Sequence, residues 1–154
     1  MILLFLVFIS SASYKKEAFV EENQIIVENM SENTNPMTGN KLKIKVGDKI
    51  FTATLLDNAT SKEFVAQLPL TIKMNELNNN EKYAQLPKNV PTDASVPARI
   101  EAGDLMMYGS STLVLFYKGF STSYSYTKIG KIDDVSGLFE SLGKSDVKVS
   151  FVVD

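Results

Sequence analysis

The sequence predicts a mainly β domain over residues 41–154, a closed or nearly closed barrel of about eight strands with two short helices. Period-two alternation of apolar and polar residues recurs in short runs from Lys41 to the C-terminus. Gly, Asn and Pro clusters separate those runs, and only two stretches place apolar residues at helical spacing.

The elements follow in order. "KLKIKVGDKIFTATL" sets Leu42, Ile44 and Val46 against Lys41, Lys43 and Lys45, and Gly47-Asp48 interrupts with residues that accept positive φ, so a hairpin with one wet face is expected. In "DNATSKEFVAQLP", Thr60 precedes Glu63 at capping-box spacing, Phe64, Val65 and Leu68 share a helical face, and Pro69 ends the helix. Period two returns through Leu68, Leu70, Ile72 and Met74, and the asparagines Asn78 to Asn80 make a turn into a short strand near Tyr83. Prolines at 87, 91 and 97 forbid a ladder or helix there and imply a long surface loop. Strands at Leu105 to Tyr108 and Thr112 to Tyr117 follow, joined by Gly109-Ser110-Ser111. Leu113-Val114-Leu115-Phe116 lacks alternation, which predicts a central strand covered on both faces, with a helix over its outer side. "TKIGKIDD" supplies another short strand, Asp134 is positioned to cap a helix through Leu138, Phe139 and Leu142 that ends at Gly143, and Val147, Val149, Phe151 and Val153 mark the last strand.

Composition narrows the chemistry. The 154 residues carry a formal net charge of -2, with no basic surplus to neutralise a phosphate backbone, so nucleic acid is not an expected partner. The chain has neither Cys nor His, which removes thiolate nucleophiles, disulfides, imidazole bases and the usual zinc and copper ligands. No catalytic residue, metal or cofactor is assigned. Asp133-Asp134 reads as helix capping rather than half of a cation site. Glu81, Glu101 and Asp104 lie apart, with no calcium-loop or paired-carboxylate spacing. Arg99 reads as a solvated loop charge.

The N-terminus has a different character. Ile2 to Ile9 is an apolar run followed by small residues at Ser10 to Ser13, matching the apolar core and cleavage zone of a secretory signal, although no Lys or Arg precedes it. It is too short for a stable membrane span, which needs roughly 20 residues. Residues 1–13 are therefore expected to be a signal peptide and the protein extracytoplasmic, secreted or held in the cell envelope; with a start further along, as at Met37, the domain would be cytoplasmic. Residues 14–40, rich in Glu and Asn, are expected to be a flexible spacer, with an edge strand at Ile25 to Val27 as the alternative.

Five stretches in order, "GDKIFTATLLDNATSKEFVAQLPL", "EKYAQLP", "EAGDLMMYGSSTLVLFYK", "FSTSYSYTKIGKIDD" and "GLFESLG", make residues 41–154 similar to a bacterial cyclophilin-like fold family, distinct from the true cyclophilin isomerases. The resemblance implies an eight-stranded barrel with helices over its openings. It supplies no settled reaction, and the Phe-His-Arg and Phe-Met-x-Gln-Gly-Gly stretches of true cyclophilins are absent.

The stretch "YKGFSTSYSYTKIG" concentrates rings and hydroxyls. Extended, it would place Tyr124 and Tyr126 on one face and Ser123, Ser125 and Thr127 on the other, with Tyr117 and Phe120 approaching from the preceding turn. Either the tyrosines pack beneath a helix with their hydroxyls tied to backbone, or they line a mouth of the barrel with Ser123, Tyr83 and Tyr108 and hold a peptide or small organic ligand. Two functions stay open: an exported, non-catalytic binding module, or an enzyme. The enzymatic reading is a weak peptidyl-prolyl cis-trans isomerase or, by the family resemblance alone, an accessory to a flavodoxin-like redox protein. Oligomeric state is not legible.

Overall fold

The computed structural model describes residues 36–154. The segments assigned above to a signal peptide and to most of a spacer, including Ile25 to Val27, lie outside the described residues. Eight antiparallel strands form a closed barrel: β1 (Pro36–Val46), β2 (Lys49–Leu56), β3 (Leu70–Leu77), β4 (Glu81–Gln85), β5 (Asp104–Tyr108), β6 (Thr112–Phe116), β7 (Thr127–Ile132) and β8 (Val147–Val153). Two helices, α1 (Ala59–Val65) and α2 (Leu138–Leu142), join β2 to β3 and β7 to β8. Around the barrel the order is β1-β2-β7-β5-β6-β4-β3-β8, and β8 returns to pair with β1, so every strand has two neighbours and no edge is left to template association.

The alternation seen in the sequence decides what points inward. Leu42, Ile44 and Val46 are buried while the intervening lysines are exposed, and Gly47 at φ 58 turns the chain between Val46 and Lys49. The interior is filled by these three with Phe51, Ala53 and Leu55 of β2, Leu105 and Met107 of β5, Leu113 and Leu115 of β6, and Val149 and Phe151 of β8. Phe64 enters from α1 and meets Phe151 edge-on at 5.9 Å; Leu138 and Leu142 enter from α2. Burial of each such ring or branched side chain contributes about 1.5–3 kcal/mol.

Helix capping departs from expectation at both helices. Asn58, not Thr60, is the N-cap of α1: its side chain accepts from Ser61 N at 2.8 Å. Thr60 is instead buried and donates to the Pro91 carbonyl at 2.7 Å, tying the proline-rich loop to the helix. Asp134 accepts from Ser136 N in a tight turn, and Gly137, at φ 79, then delays the start of α2 to Leu138. Gly143 ends that helix as expected, with φ 63.

A second core lies outside the barrel. Met106 of β5 with Val114 and Phe116 of β6 point outward, and Ile100 and Tyr126 bury them, with Tyr83 and Phe120 packed against the cluster. Leu113 to Phe116 is thus covered on both faces, but the outer cover is not a helix. Two connections do the work, the one before β5 and the one before β7, and they bridge one another through Ser95 with Tyr126 and Ile100 with Phe120. Gly119 passes so close to Ile100 that a Cβ there would stand 3.1 Å from its carbonyl oxygen. The proline-rich stretch cannot form a helix, yet an extended chain drapes readily over a flat sheet and lends its apolar residues to it.

Candidate functional site

Beside this outer cluster runs a groove of about 600 Å³. Its floor is the outer face of β4, β6 and β5: Glu81, Tyr83 and Gln85 alternate along β4, Thr112 and Val114 along β6, and Tyr108 closes the end of β5. Its far wall is the irregular chain from Phe120 to Tyr126, and Leu77, Asn78 and Asn80 form the end near the β3–β4 turn. Asn78 and Asn79 hold positive φ, 52° and 56°, as the asparagine turn demanded.

The walls are aromatic. Tyr108 is met edge-on by Tyr124 at 6.2 Å and obliquely by Tyr126 at 5.7 Å, while Phe116 beneath them contacts Tyr126 at 5.5 Å and Phe120 at 5.7 Å. Burial, reinforced by the Glu81 charge and by Tyr108 and Tyr124, pushes the Tyr126 phenol up to about 12. Tyr124 is 62 % exposed and Tyr108 49 %, whereas Tyr126 is nearly covered.

Of the residues singled out in the sequence, Tyr83, Tyr108, Phe120, Ser123, Tyr124 and Tyr126 converge on this groove. The placement differs from expectation in three ways. The rings stand on the flank of the barrel and not at its mouth, because β4, β5 and β6 send them outward while Ala84, Leu105, Met107, Leu113 and Leu115 fill the inside. The chain from Ser121 to Ser125 bends instead of running extended, so Ser123 lines the groove together with the tyrosines and only Tyr126 pairs as a bridge. Tyr117 falls on the other side of the sheet. Its ring packs on Phe139 of α2 at 5.7 Å and its hydroxyl donates to Glu76 at 2.7 Å, on the inner face away from the tyrosine wall.

Glu76 belongs to a buried polar cluster. Lys82, wholly buried, pairs with the Glu76 carboxylate and donates to the carbonyls of Gly143 at 3.0 Å and Ser145 at 2.7 Å. Burial opposes ionisation of Glu76, but the hydrogen bonds from Lys82 and Tyr117 prevail and hold its carboxyl below the usual range. Every group in that cluster has its partner. It is a structural anchor between β3, β4 and the chain after α2.

Glu81 was set aside in the sequence as an isolated acid with no metal or paired-carboxylate spacing. Only 7 % exposed, it lines the groove and has no hydrogen-bond or ion-pair partner among the described residues. Burial first, and the negative Glu76 second, push its carboxyl up to about 7. The carboxyl opens to the groove, whereas the side-chain oxygen of the neighbouring Asn80 is sealed without a partner. The available signal was positional: Glu81 shares the outward parity of Tyr83 and Gln85 in a strand whose other face must enter the core. No described groove-lining residue is a cation. Lys118 lies over the Phe139 ring at 5.2 Å, and Arg99 pairs with Glu101 at 3.1 Å. A second cavity of about 200 Å³ behind Tyr126 is lined by Asp93, Arg99 and Lys128, so its charges are already mixed.

Among the described residues no three acidic side chains converge as a metal site would require, and no helix is long and apolar enough to cross a membrane. Asp104, fully buried, accepts from Glu101 N at 2.8 Å through one oxygen; the other has Lys128 at 3.6 Å and Lys131 at 4.0 Å, attraction beyond hydrogen-bond reach.

No curated protein matches the chain. Among solved structures it is similar to the solution structure of a hypothetical protein from Archaeoglobus fulgidus, at 16% identity and a TM-score of 0.49, covering 81% of this chain and 100% of that one. The model of the cyclophilin-like family matches residues 44–152, from Ile44 within β1 to the penultimate residue of β8. By that match, and with a closed eight-stranded barrel carrying its motifs in order, the chain belongs to the cyclophilin-like family.

Proposed function

We propose that the domain is a non-catalytic binding module that takes a short peptide or small organic ligand in the groove on its flank. One observation carries the reading: a cleft of about 600 Å³ walled by Tyr83, Tyr108, Phe120, Tyr124 and Tyr126 with a few polar groups at its ends. Ligand sites combine apolar walls with sparse, directed polar groups at this volume. Tyr83 and Tyr108 stand on paired strands, and Phe120 and Tyr126 are held by isolated bridges and by packing on Phe116 and Tyr108, so most of the cleft is built in advance. Export is part of the same proposal, supported by the apolar run Ile2 to Ile9 and the small residues after it.

The test is a thermal-melt screen of the protein against a library of short peptides and small organic compounds, repeated on Tyr124→Ala. A ligand that binds the native state raises the melting midpoint by linkage. Because Tyr124 is largely exposed, its removal is expected to leave the unfolding free energy within about 0.5 kcal/mol of the parent while shrinking the ligand-induced shift. Ligands that stabilise both proteins equally would place the binding site elsewhere.

A further inference from the structure

The groove is chemically lopsided. It offers the faces and edges of five aromatic rings and one carboxyl, and none of its described lining residues is a Lys or Arg. The nearby cations are engaged elsewhere: Lys82 faces the barrel interior, Lys118 covers Phe139, and Arg99 pairs with Glu101. The Glu81 carboxyl lines the groove with little exposure and no protein partner among the described residues, so a cation entering the cleft would meet it directly. Aromatic walls add attraction for one charge type only, since a ring presents its negative face to a cation.

Building on the binding role proposed above, we infer that the ligand presents an organic ammonium group, seated between the Glu81 carboxylate and the rings of Tyr83 and Tyr126, with its organic body running along the groove toward Tyr108 and Tyr124. The shared chemistry is an alkylammonium, borne either by a free amine or by a lysine side chain of a peptide.

Ionisation of Glu81 gives the site a pH dependence. The groups around it are Glu76 from β3, whose charge is paired with Lys82, Tyr83 on its own strand and Tyr126 from the far wall, with Phe116 of β6 opposite it; Tyr108 and Tyr124 lie toward the other end of the groove. The one cation among them, Lys82, is held by Glu76 and two carbonyls on the opposite face of the sheet. Below about 7 the ammonium must displace a proton from Glu81, so affinity weakens as pH falls, by about thirtyfold between pH 8 and 5.5.

The experiment is calorimetric titration of the protein, in an amine-free buffer at pH 8 and pH 5.5. The probes are n-butylammonium, tetramethylammonium and N-acetyl-lysine amide, each against its neutral isostere: butanol, neopentyl alcohol and N-acetyl-norleucine amide. At least one cation is expected to bind about tenfold or more tightly than its isostere at pH 8. That preference shrinks at pH 5.5 and disappears in Glu81→Gln, whose melting midpoint should equal or exceed the parent's; Tyr124→Ala should weaken the same cation about two- to tenfold. Preference for the lysine amide points to a peptide ligand, preference for the simple amines to a free one. Isosteres that bind as well as the cations, or a preference that survives Glu81→Gln, overturn the inference. Neutral compounds that bind in a Tyr124-dependent way while the cations do not would sink the ammonium and leave the groove standing. Should neither the cations nor the library compounds bind, both readings fall.

Discussion

The barrel end beside α2 and the groove on the flank each bury one charged residue of β4, and they treat it in opposite ways. Lys82 points inward and meets a carboxylate and two carbonyls; Glu81, one residue earlier, points outward and meets none. A buried charge with a full set of partners is a device for holding strands together. A buried carboxyl that lines an open cleft without partners costs the fold stability when it ionises, so its presence favours a role toward something the cleft receives. Parity along five residues of strand separates the two roles.

Substitutions that break this contrast sharpen it, beginning with the largest effect. Lys82→Met keeps the side-chain volume but strands Glu76 and two carbonyls in the interior, and is expected to lower the unfolding free energy by about 3–5 kcal/mol, read from urea denaturation at pH 7. A loss under 1 kcal/mol would mean that water reaches the cluster and that the anchor is not one. Tyr126→Ala comes next. Its ring fills the outer core against Phe116 and Tyr108, so about 2–3 kcal/mol should be lost, in contrast to the near-neutral Tyr124→Ala. The two tyrosines lie two residues apart and line one groove, yet one builds its wall and the other only faces the opening.

How much of this was legible in the sequence follows from which forces act locally. The strands could be read because burial on one face imposes period two on Leu42, Ile44 and Val46 or on Val149 and Phe151, whatever the rest of the chain does. Closure of the barrel and the family pattern were legible for the same reason, strand after strand. The helix caps were not: Asn58 and Thr60 are both competent N-caps, and the choice was settled by Thr60 reaching the distant Pro91 carbonyl. Tyr117 was drawn to the groove by proximity to Phe120, because Leu113 to Phe116 is buried on both faces and its parity is hidden. Ser123 fell on the expected wall for an unexpected reason, since bends replaced the strand that alternation assumed. Glu81 was invisible as a site residue because a lone acid at a strand start has many ordinary explanations, and only its surroundings in space reveal that it lacks a partner.

The most direct test of the account is the stability of Glu81→Gln relative to the parent from pH 5 to pH 8. The folded Glu81 holds its proton up to about 7, against an ordinary value of 4.5; through that window the unfolded chain gives up the proton while the folded one keeps it, so the parent loses stability as pH rises. Glutamine has no such proton, and the variant should gain on the parent by about 1–2 kcal/mol across the range. A variant that instead becomes less stable than the parent at pH 8 would show that the carboxylate has a partner within the fold, and would contradict the reading of the groove as a site awaiting its ligand.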